Sequence, residues 1–178
     1  MDRQHRHSIR LEGYDYSREG AYFITVCTHH RSCLFGSISD PHMIPNDLGK
    51  ITISEWLKTV RLRPNVCLDE YALMPNHLHG IVVIMNQASV SPIDIGRRSF
   101  QSPSQTIGAI VRGWKAAVTR RINDLRGTPG TPVWQRNYYE HVIRNEQDMA
   151  DVRAYIVNNP ALWAQDQEDP NLMMSARR

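Results

Sequence analysis

The chain has 178 residues, the length of one ordinary domain with room for a substantial core. Its 21 Lys and Arg residues exceed its 18 Asp and Glu residues by three, far less than in a histone-like protein, so an acidic partner is allowed but not required. The longest strongly apolar stretch, residues 80–85, is much shorter than the roughly 20 residues of a membrane-spanning helix. No apolar signal region follows the charged start, and we expect a soluble cytoplasmic protein.

Three cysteines, Cys27, Cys33 and Cys67, are odd in number and form no CxxC pair. Both features argue against a disulfide framework and against zinc bound by cysteine. We therefore expect small, inert thiols in a reducing cytoplasm.

The first elements of the chain are a strand and a helix. Residues 21–28 are rich in β-branched and aromatic side chains, which predicts a buried strand. A polar loop follows and passes through Pro41 and Pro45. Asn46 can then cap a helix whose apolar residues recur at helical spacing until Pro64 ends it.

The middle of the chain predicts a hairpin, a loop and a second helix. Residues 67–74 and 77–85 read as two strands joined by a tight turn, because a Pro-Asn dipeptide alone separates them. Residues 86–104 combine Ser, Pro and Gly without periodicity and predict a flexible loop. Residues 105–125 place a broad apolar face opposite a basic face, which is typical of a surface helix.

The last elements are a strand and a helix. After a Gly-Pro turn at 127–132, residues 133–143 predict the last strand. Asn145 can cap a helix that ends near Pro160.

The order strand, helix, strand, strand, helix, strand, with one added helix, folds most simply as an antiparallel sheet with two helices on one face. We therefore predict an α+β, ferredoxin-like fold with an added C-terminal helix. It occupies a single domain, residues 21–163, between a polar N-terminal arm, residues 1–20, and a flexible tail, residues 164–178.

His77 and His79 begin the second strand of the predicted hairpin. Alternate residues of a strand point to the same face, so both imidazoles point at one place and form half of a plausible metal site. A rigid strand would hold them in position. The HxH pattern is weak alone, because surface or hydrogen-bonded pairs are common in a chain with eight histidines.

Tyr155 and Asn159 are four residues apart in the last predicted helix, so they occupy neighbouring positions on one face, one or two turns after Asp148 and Asp151. A phenol and an amide on that face could approach a metal held by the two histidines if the helix covers the open face of the sheet. A tyrosine that only packs on the core is the alternative, and the pattern of residues does not decide between them.

Two further tyrosines, Tyr138 and Tyr139, compete for a catalytic role. In the predicted strand, Tyr139 and His141 share a face with Gln135, whereas Glu140 points the other way. Glu140 and His141 could contact the metal ligands and hold them in position. A structural role in the core is the alternative for both.

Basic residues cluster between positions 112 and 144, in the half of the chain that also holds most of the tryptophan. Such a surface could contact the phosphates of DNA while aromatic rings stack on bases, and an ordinary solvated helix face is an equal alternative. The sequence has no Gly-rich phosphate loop, GxSxG elbow or HExxH motif. The candidate residues are Arg112, Lys115, Arg120, Arg121, Arg126, Arg136 and Arg144.

Three segments together resemble a known family. They are YALMPNHLHGIVVI, IGAIVRGWKAAVTRRI and VWQRNYYEHVIRNEQDMADVRAYIVNNP, which follow one another between residues 20 and 163. In order and spacing they are similar to the REP-associated tyrosine transposases of the single-tyrosine HUH superfamily. The resemblance implies a ferredoxin-like domain that cuts and rejoins single-stranded DNA beside a short hairpin, using a tyrosine nucleophile and Mg²⁺ or Mn²⁺.

Carried over by position, the resemblance implies that His77 and His79 are metal ligands. It places the nucleophile at Tyr155, on the added helix, and not at the more conspicuous tyrosines of the last strand. The third metal ligand falls on Asn159, where relatives often carry the longer Gln.

The resemblance also leaves alternatives. The chain could be an active strand transferase, or a domesticated relative that binds hairpin DNA without cutting it. Relatives include monomers and homodimers that exchange the tyrosine helix, and the sequence does not decide between these states.

Overall fold

The core strands form one antiparallel sheet in the order that the ferredoxin-like plan requires. The computed structural model describes residues 19–39, 41–85 and 106–163. In chain order the elements are β1 (Gly20–Cys27), β2 (Gly36–Ser39), β3 (His42–Pro45), α1 (Asp47–Leu62), β4 (Val66–Met74), β5 (His77–Ile84), α2 (Ile107–Arg126), β6 (Tyr139–Ile143) and α3 (Glu146–Asn158), with 3-10 turns at His29–Arg31 and Asn159–Leu162.

The strand order of the main sheet is β4-β5-β1-β6. Every neighbouring pair is antiparallel, and the register places Thr25 opposite His79 and Cys27 opposite His77. The C-terminal end of β1 therefore meets the N-terminal end of β5, where the two histidines lie. The predicted fold class is confirmed.

Helices α1 and α2 cover one face of the sheet and enclose the larger core. Ile24 of β1 and Leu78 of β5 are fully buried there. Trp56 of α1 and Trp114 of α2 pack edge to face, with ring centroids 5.3 Å apart. Trp56 can lie against β5 because Gly80 has no side chain, since a Cβ at Gly80 would stand 2.6 Å from the indole.

Helix α3 covers the opposite face of the sheet, so the fold has a third layer. Side chains two residues apart on a strand share a face, and the face that carries the two histidines is therefore the one that α3 covers. The apolar side chains buried between α3 and the sheet are Phe23, Ile81, Ile143, Val152 and Ile156.

The prediction of a polar loop between β1 and α1 was wrong in part. Residues 36–39 and 42–45 pair as a short separate hairpin, in which Ile38 stands opposite Met43. Met43 packs against the main core. Alternation over four residues is too short to distinguish from a loop, and Pro45 is tolerated because it ends a strand of a two-stranded ribbon.

The prediction of a last strand over 133–143 was wrong in its first half. Trp134 makes one isolated bridge with Thr28, and continuous pairing starts only at Tyr139. The carbonyl oxygens of Gln135 and Arg136 instead accept hydrogen bonds from Nζ of Lys115 on α2, at 2.6 and 3.1 Å. The lysine therefore satisfies two carbonyls at the point where the ladder is interrupted.

Several predictions fall outside the described residues. These are the N-terminal arm as far as residue 18, the loop 86–104 and the tail 164–178, whereas Gly20, assigned to the arm, begins β1. Across residues 19–39, 41–85 and 106–163, none of the helices has the length and apolar character needed to cross a bilayer.

Candidate active site

The imidazoles of His77 and His79 meet beneath α3. Their Nε2 atoms lie 2.9 Å apart, and the residues are 4% and 0% exposed. The convergence follows from the alternation of strand β5, as the sequence predicted. A pair of surface histidines is therefore ruled out.

The second ring nitrogen of each imidazole, Nδ1, has a polar partner that fixes the ring. Nδ1 of His77 lies 2.6 Å from Oδ1 of Asn76, the last residue of the hairpin turn. Nδ1 of His79 lies 2.8 Å from Oγ1 of Thr25, its register partner on β1. Phe23 stacks on His79 with ring centroids 5.5 Å apart. Both rings are therefore fixed with Nε2 facing the shared space.

These contacts assign the ring proton of His77 and leave two tautomers open to His79. Because the carboxamide oxygen of Asn76 accepts, Nδ1 of His77 carries the hydrogen and Nε2 presents a lone pair. The hydroxyl of Thr25 can either donate to Nδ1 of His79 or accept from it. His79 can therefore change tautomer and present a second lone pair without losing its partner.

Burial keeps both rings neutral. It lowers the pKa of His77 to about 3, together with the positive charge of Arg31 and against an opposing contribution from Asn159. Burial and the adjacent His77 hold the pKa of His79 well below its usual range. Neutral imidazoles are the form that binds a cation.

Tyr155 reaches this pair from α3. Its Oη lies 3.2 Å from Nε2 of His79, and its ring is 5.9 Å from that of Phe23, edge to face. The neighbouring residues Val152 and Ile156 are buried, so the apolar stripe of α3 points the tyrosine at the sheet.

Two polar contacts fix α3 in this position. Arg153 makes a two-pronged ion pair with Asp69 of β4, at 2.7 and 2.6 Å. Near the start of the helix, His141 of β6 lies 3.0 Å from Oδ2 of Asp148. Both tethers precede Tyr155 on α3, and they join the helix to different strands of the sheet.

Asn159 completes the cluster of candidate ligands. It lies in the turn after α3, is fully buried, and raises the pKa of the neighbouring His77. Neither its amide nitrogen nor its amide oxygen makes a hydrogen bond of standard geometry within the described residues. The amide therefore has hydrogen-bonding capacity left for a further ligand.

These residues fit a divalent cation. Two nitrogens 2.9 Å apart can bind one ion, because metal–nitrogen bonds of about 2.1 Å at right angles span that distance. Within the described ranges, no three or more His, Cys, Asp and Glu residues cluster as a metal site. The buried amide of Asn159, beside His77, can supply an oxygen.

Known proteins resemble this chain in sequence and in fold. No family model matches the chain. A Haemophilus influenzae protein of uncharacterised function is 46% identical over 171 residues, which cover 92% of both chains. The chain belongs to the same family as that protein.

Among solved structures, a REP-associated tyrosine transposase bound to a REP hairpin is similar with a TM-score of 0.53 and 21% identity, over 85% of this chain and 73% of that chain. A candidate transposase from Deinococcus radiodurans has a TM-score of 0.46 and 17% identity, over 84% of this chain and 95% of that chain. The first likeness shows that this chain shares its fold with that protein.

The other tyrosines are engaged elsewhere. Oη of Tyr138 donates to Oε2 of Glu140 at 2.6 Å. Burial and Asp148 raise the pKa of Tyr139, which disfavours the anion that a nucleophile needs. Glu140 points into the core beneath α1 and α2, opposite the histidines, so it does not support them. His141 shares the face of the histidines and positions α3 instead.

The predicted basic surface divides into separate parts. Lys115, Arg120 and Arg136 line one groove of about 660 Å³ between α2 and the segment 129–136. Arg121 instead pairs with Glu55 at 2.5 Å and joins α2 to α1. The remaining candidate residues are exposed and lie outside the groove: Arg112, Arg126 and Arg144.

Sequence reasoning missed the residues that hold the histidines. Thr25 and Phe23 act through the register of β1 with β5, which a single sequence does not reveal. Asn76 was recognised only as a turn residue. Its position directly before HxH was the available signal.

Proposed function

We propose that the protein is a single-stranded DNA endonuclease and strand transferase that acts beside short hairpins through a covalent 5′-phosphotyrosine intermediate. The observation that supports this most is the meeting of Tyr155 with His77 and His79 in one buried cluster. A phenol beside two neutral imidazoles and a buried amide is the set of groups that such a reaction needs.

The proposed step is an exchange of phosphate esters. The Oη atom of Tyr155 forms a bond to the phosphorus as the bond from phosphorus to the 3′ oxygen breaks. The phenol loses one proton and the 3′ oxygen gains one, so the numbers of bonds and protons are unchanged. A second 3′ hydroxyl can reverse the step, and strand transfer therefore needs no external energy source.

The residues of the cluster have separable roles in this proposal. His77, His79 and Asn159 would hold Mg²⁺ or Mn²⁺, and the bound ion would make the phosphate more electrophilic. Nitrogen ligands favour Mn²⁺ over Mg²⁺. Helix α3 holds the phenol in position, which lowers the entropic cost of attack.

The DNA would approach along the groove lined by Lys115, Arg120 and Arg136. This groove and the end of β1 are joined, because the backbone N–H of Gln135 donates to the carbonyl of Cys27 at 2.9 Å. Cys27 stands opposite His77. The groove lies on the α2 side of the sheet and the histidines on the α3 side, so a strand bound in the groove would pass the end of β1 to reach them. Its affinity should fall as salt is added.

A cleavage assay tests the proposal. The full chain would be incubated with Mn²⁺ and a library of labelled single-stranded oligonucleotides, each with a stem-loop flanked by randomised sequence. We expect a labelled adduct that survives denaturation, disappears with EDTA and is absent from Tyr155→Phe. Tyr138→Phe is the matched control and should still form it. Hairpin binding without any adduct would favour a domesticated DNA-binding protein instead.

A further inference from the structure

We propose that Arg31 binds a phosphate of the single-stranded DNA at the candidate active site, next to the position of attack. This inference rests on the proposed function and adds a substrate-binding residue to it. It stands on how the segment after β1 is held against the histidine pair and on the unusual backbone of that segment. It also stands on the absence of a carboxylate partner among the residues that the structure describes.

The segment after β1 is tied to the turn that precedes His77. The backbone N–H of Thr28 donates to the carbonyl of Asn76 at 2.9 Å, and the hydroxyl of Thr28 donates to the same carbonyl at 3.0 Å. Further on, the N–H of Phe35 donates to the carbonyl of Pro75 at 3.0 Å. Arg31 lies between these ties, so its backbone is anchored beside the histidine pair.

The backbone of Arg31 is held in an uncommon conformation. His30 and Arg31 have φ values of 56° and 53°, in the left-handed region that side-chain-bearing residues rarely adopt. The turn is closed by the N–H of Arg31, which donates to the carbonyl of Thr28 at 3.0 Å. Such strain persists only where the surroundings enforce it, and it often marks a functional position.

The backbone places Arg31 beside the histidine pair. The N–H of Arg31 donates to the carbonyl of Thr28, Thr28 donates to the carbonyl of Asn76, and Oδ1 of Asn76 lies 2.6 Å from Nδ1 of His77. Arg31 is partly exposed, and no ion pair joins it to a carboxylate anywhere in the described ranges.

A guanidinium near a cation site is unfavourable unless an anion lies between them. A DNA phosphate satisfies both groups, because its non-bridging oxygens can accept two parallel hydrogen bonds from arginine. An acidic side chain would serve equally, but the described part of the chain offers none there. The chemistry therefore fits a phosphate supplied by the substrate.

The first test measures coupling between Arg31 and the phosphate. Adduct formation at saturating oligonucleotide would be timed for the wild type and for Arg31→Ala, on normal DNA and on DNA with a neutral methylphosphonate at the mapped scissile position. We expect Arg31→Ala to be about 100-fold slower on normal DNA. The methylphosphonate should slow the wild type far more than the variant. The inference would be overturned if Arg31→Ala reacted at the wild-type rate. It would also be overturned if the methylphosphonate slowed the variant by the same factor as it slows the wild type.

The second test does not need cleavage. Binding of the same oligonucleotide to protein that carries Tyr155→Phe would be measured against salt concentration, with Arg61→Ala in exposed α1 as the matched control. Loss of one phosphate contact should reduce the slope of the logarithm of the binding constant against the logarithm of salt concentration by about 0.7. The control should leave this slope unchanged. Arg31→Asn serves as a second variant, because asparagine tolerates the left-handed backbone that alanine strains.

The outcomes separate the two proposals. If the wild type forms no adduct but its binding depends on Arg31 in this way, the inference holds and the proposed enzymatic function fails. If the wild type forms the adduct and the Arg31 variants match it in rate and slope, only the inference fails. If the wild type neither cuts nor binds the oligonucleotides, both proposals fail.

Discussion

The phenolic oxygen of Tyr155 lies 3.2 Å from Nε2 of His79, although 76 positions separate the two residues in the chain. The contact exists because α3 packs on the face of the sheet to which His79 points. One chain therefore brings its own tyrosine to its own histidine pair, and each part of this arrangement can be tested separately.

The ion pair between Arg153 and Asp69 should matter more for activity than for stability. Arg153 is largely exposed, so Asp69→Asn should cost less than about 1 kcal/mol of unfolding free energy. It should slow adduct formation, because α3 loses the tether nearest the nucleophile. Urea unfolding and adduct kinetics would measure the two effects, with Glu70→Gln on the adjacent exposed residue as control. Unchanged kinetics would show that apolar packing alone positions α3.

Thr25 should control the affinity of the site for metal. Thr25→Val removes the hydroxyl that accepts the Nδ1 hydrogen when His79 presents Nε2 to a cation. Loss of such a partner weakens metal binding by about 10- to 100-fold. Titration of metal-free protein with Mn²⁺ would measure this, and Thr25→Ser should retain near-normal affinity. Equal affinities for all three proteins would contradict the assigned role.

The two histidines should make the metal-free protein less stable in acid. Their pKa values in the folded state, about 3 for His77 and well below the usual range for His79, lie under the unfolded value of about 6.5. Below that pH the unfolded chain binds protons that the folded chain excludes, so their contribution is complete above about pH 6.5 and declines as pH falls.

The expected loss is about 1.4 kcal/mol for each histidine per pH unit. Urea unfolding in EDTA between pH 7 and pH 5 would measure it. The double variant His77→Gln, His79→Gln should have a shallower dependence on pH, whatever its absolute stability. An identical dependence in both proteins would mean that the rings are accessible to protons in the folded state.

Gly80 should be intolerant of any side chain. A Cβ would stand 2.6 Å from the indole of Trp56, so Gly80→Ala should cost about 1–3 kcal/mol through overpacking. Thermal unfolding would measure the loss, and Gly113→Ala in α2 is a suitable comparison, since its nearest contact would be a side-chain end at 3.6 Å. A variant as stable as the wild type would show that the tryptophan can move aside.

Much of the architecture follows from local patterns in the sequence. The apolar run of β1, the hairpin of β4 and β5, and the caps at Asn46 and Asn145 have signals that depend on neighbouring residues alone. The convergence of His77 and His79 also follows from local geometry, because strand alternation fixes it.

What could not be predicted depends on contacts between distant segments. The partnership of Thr25 with His79 depends on the strand register. The break in the last strand lies where Lys115 of α2 binds the carbonyl of Gln135, a contact between distant segments. The basic face of α2 also looked uniform, although Arg121 is committed to Glu55. Sequence periodicity places a residue on a face but does not reveal its partner.

The most direct test of the account is to identify the amino acid that carries the DNA. The adduct formed by the full chain with Mn²⁺ would be digested with protease and nuclease, and the modified peptide sequenced by mass spectrometry. The account predicts a nucleotide phosphate on Tyr155, dependent on His77 and His79. A phosphate on Tyr138 or Tyr139, or an adduct that survives loss of both histidines, would contradict it.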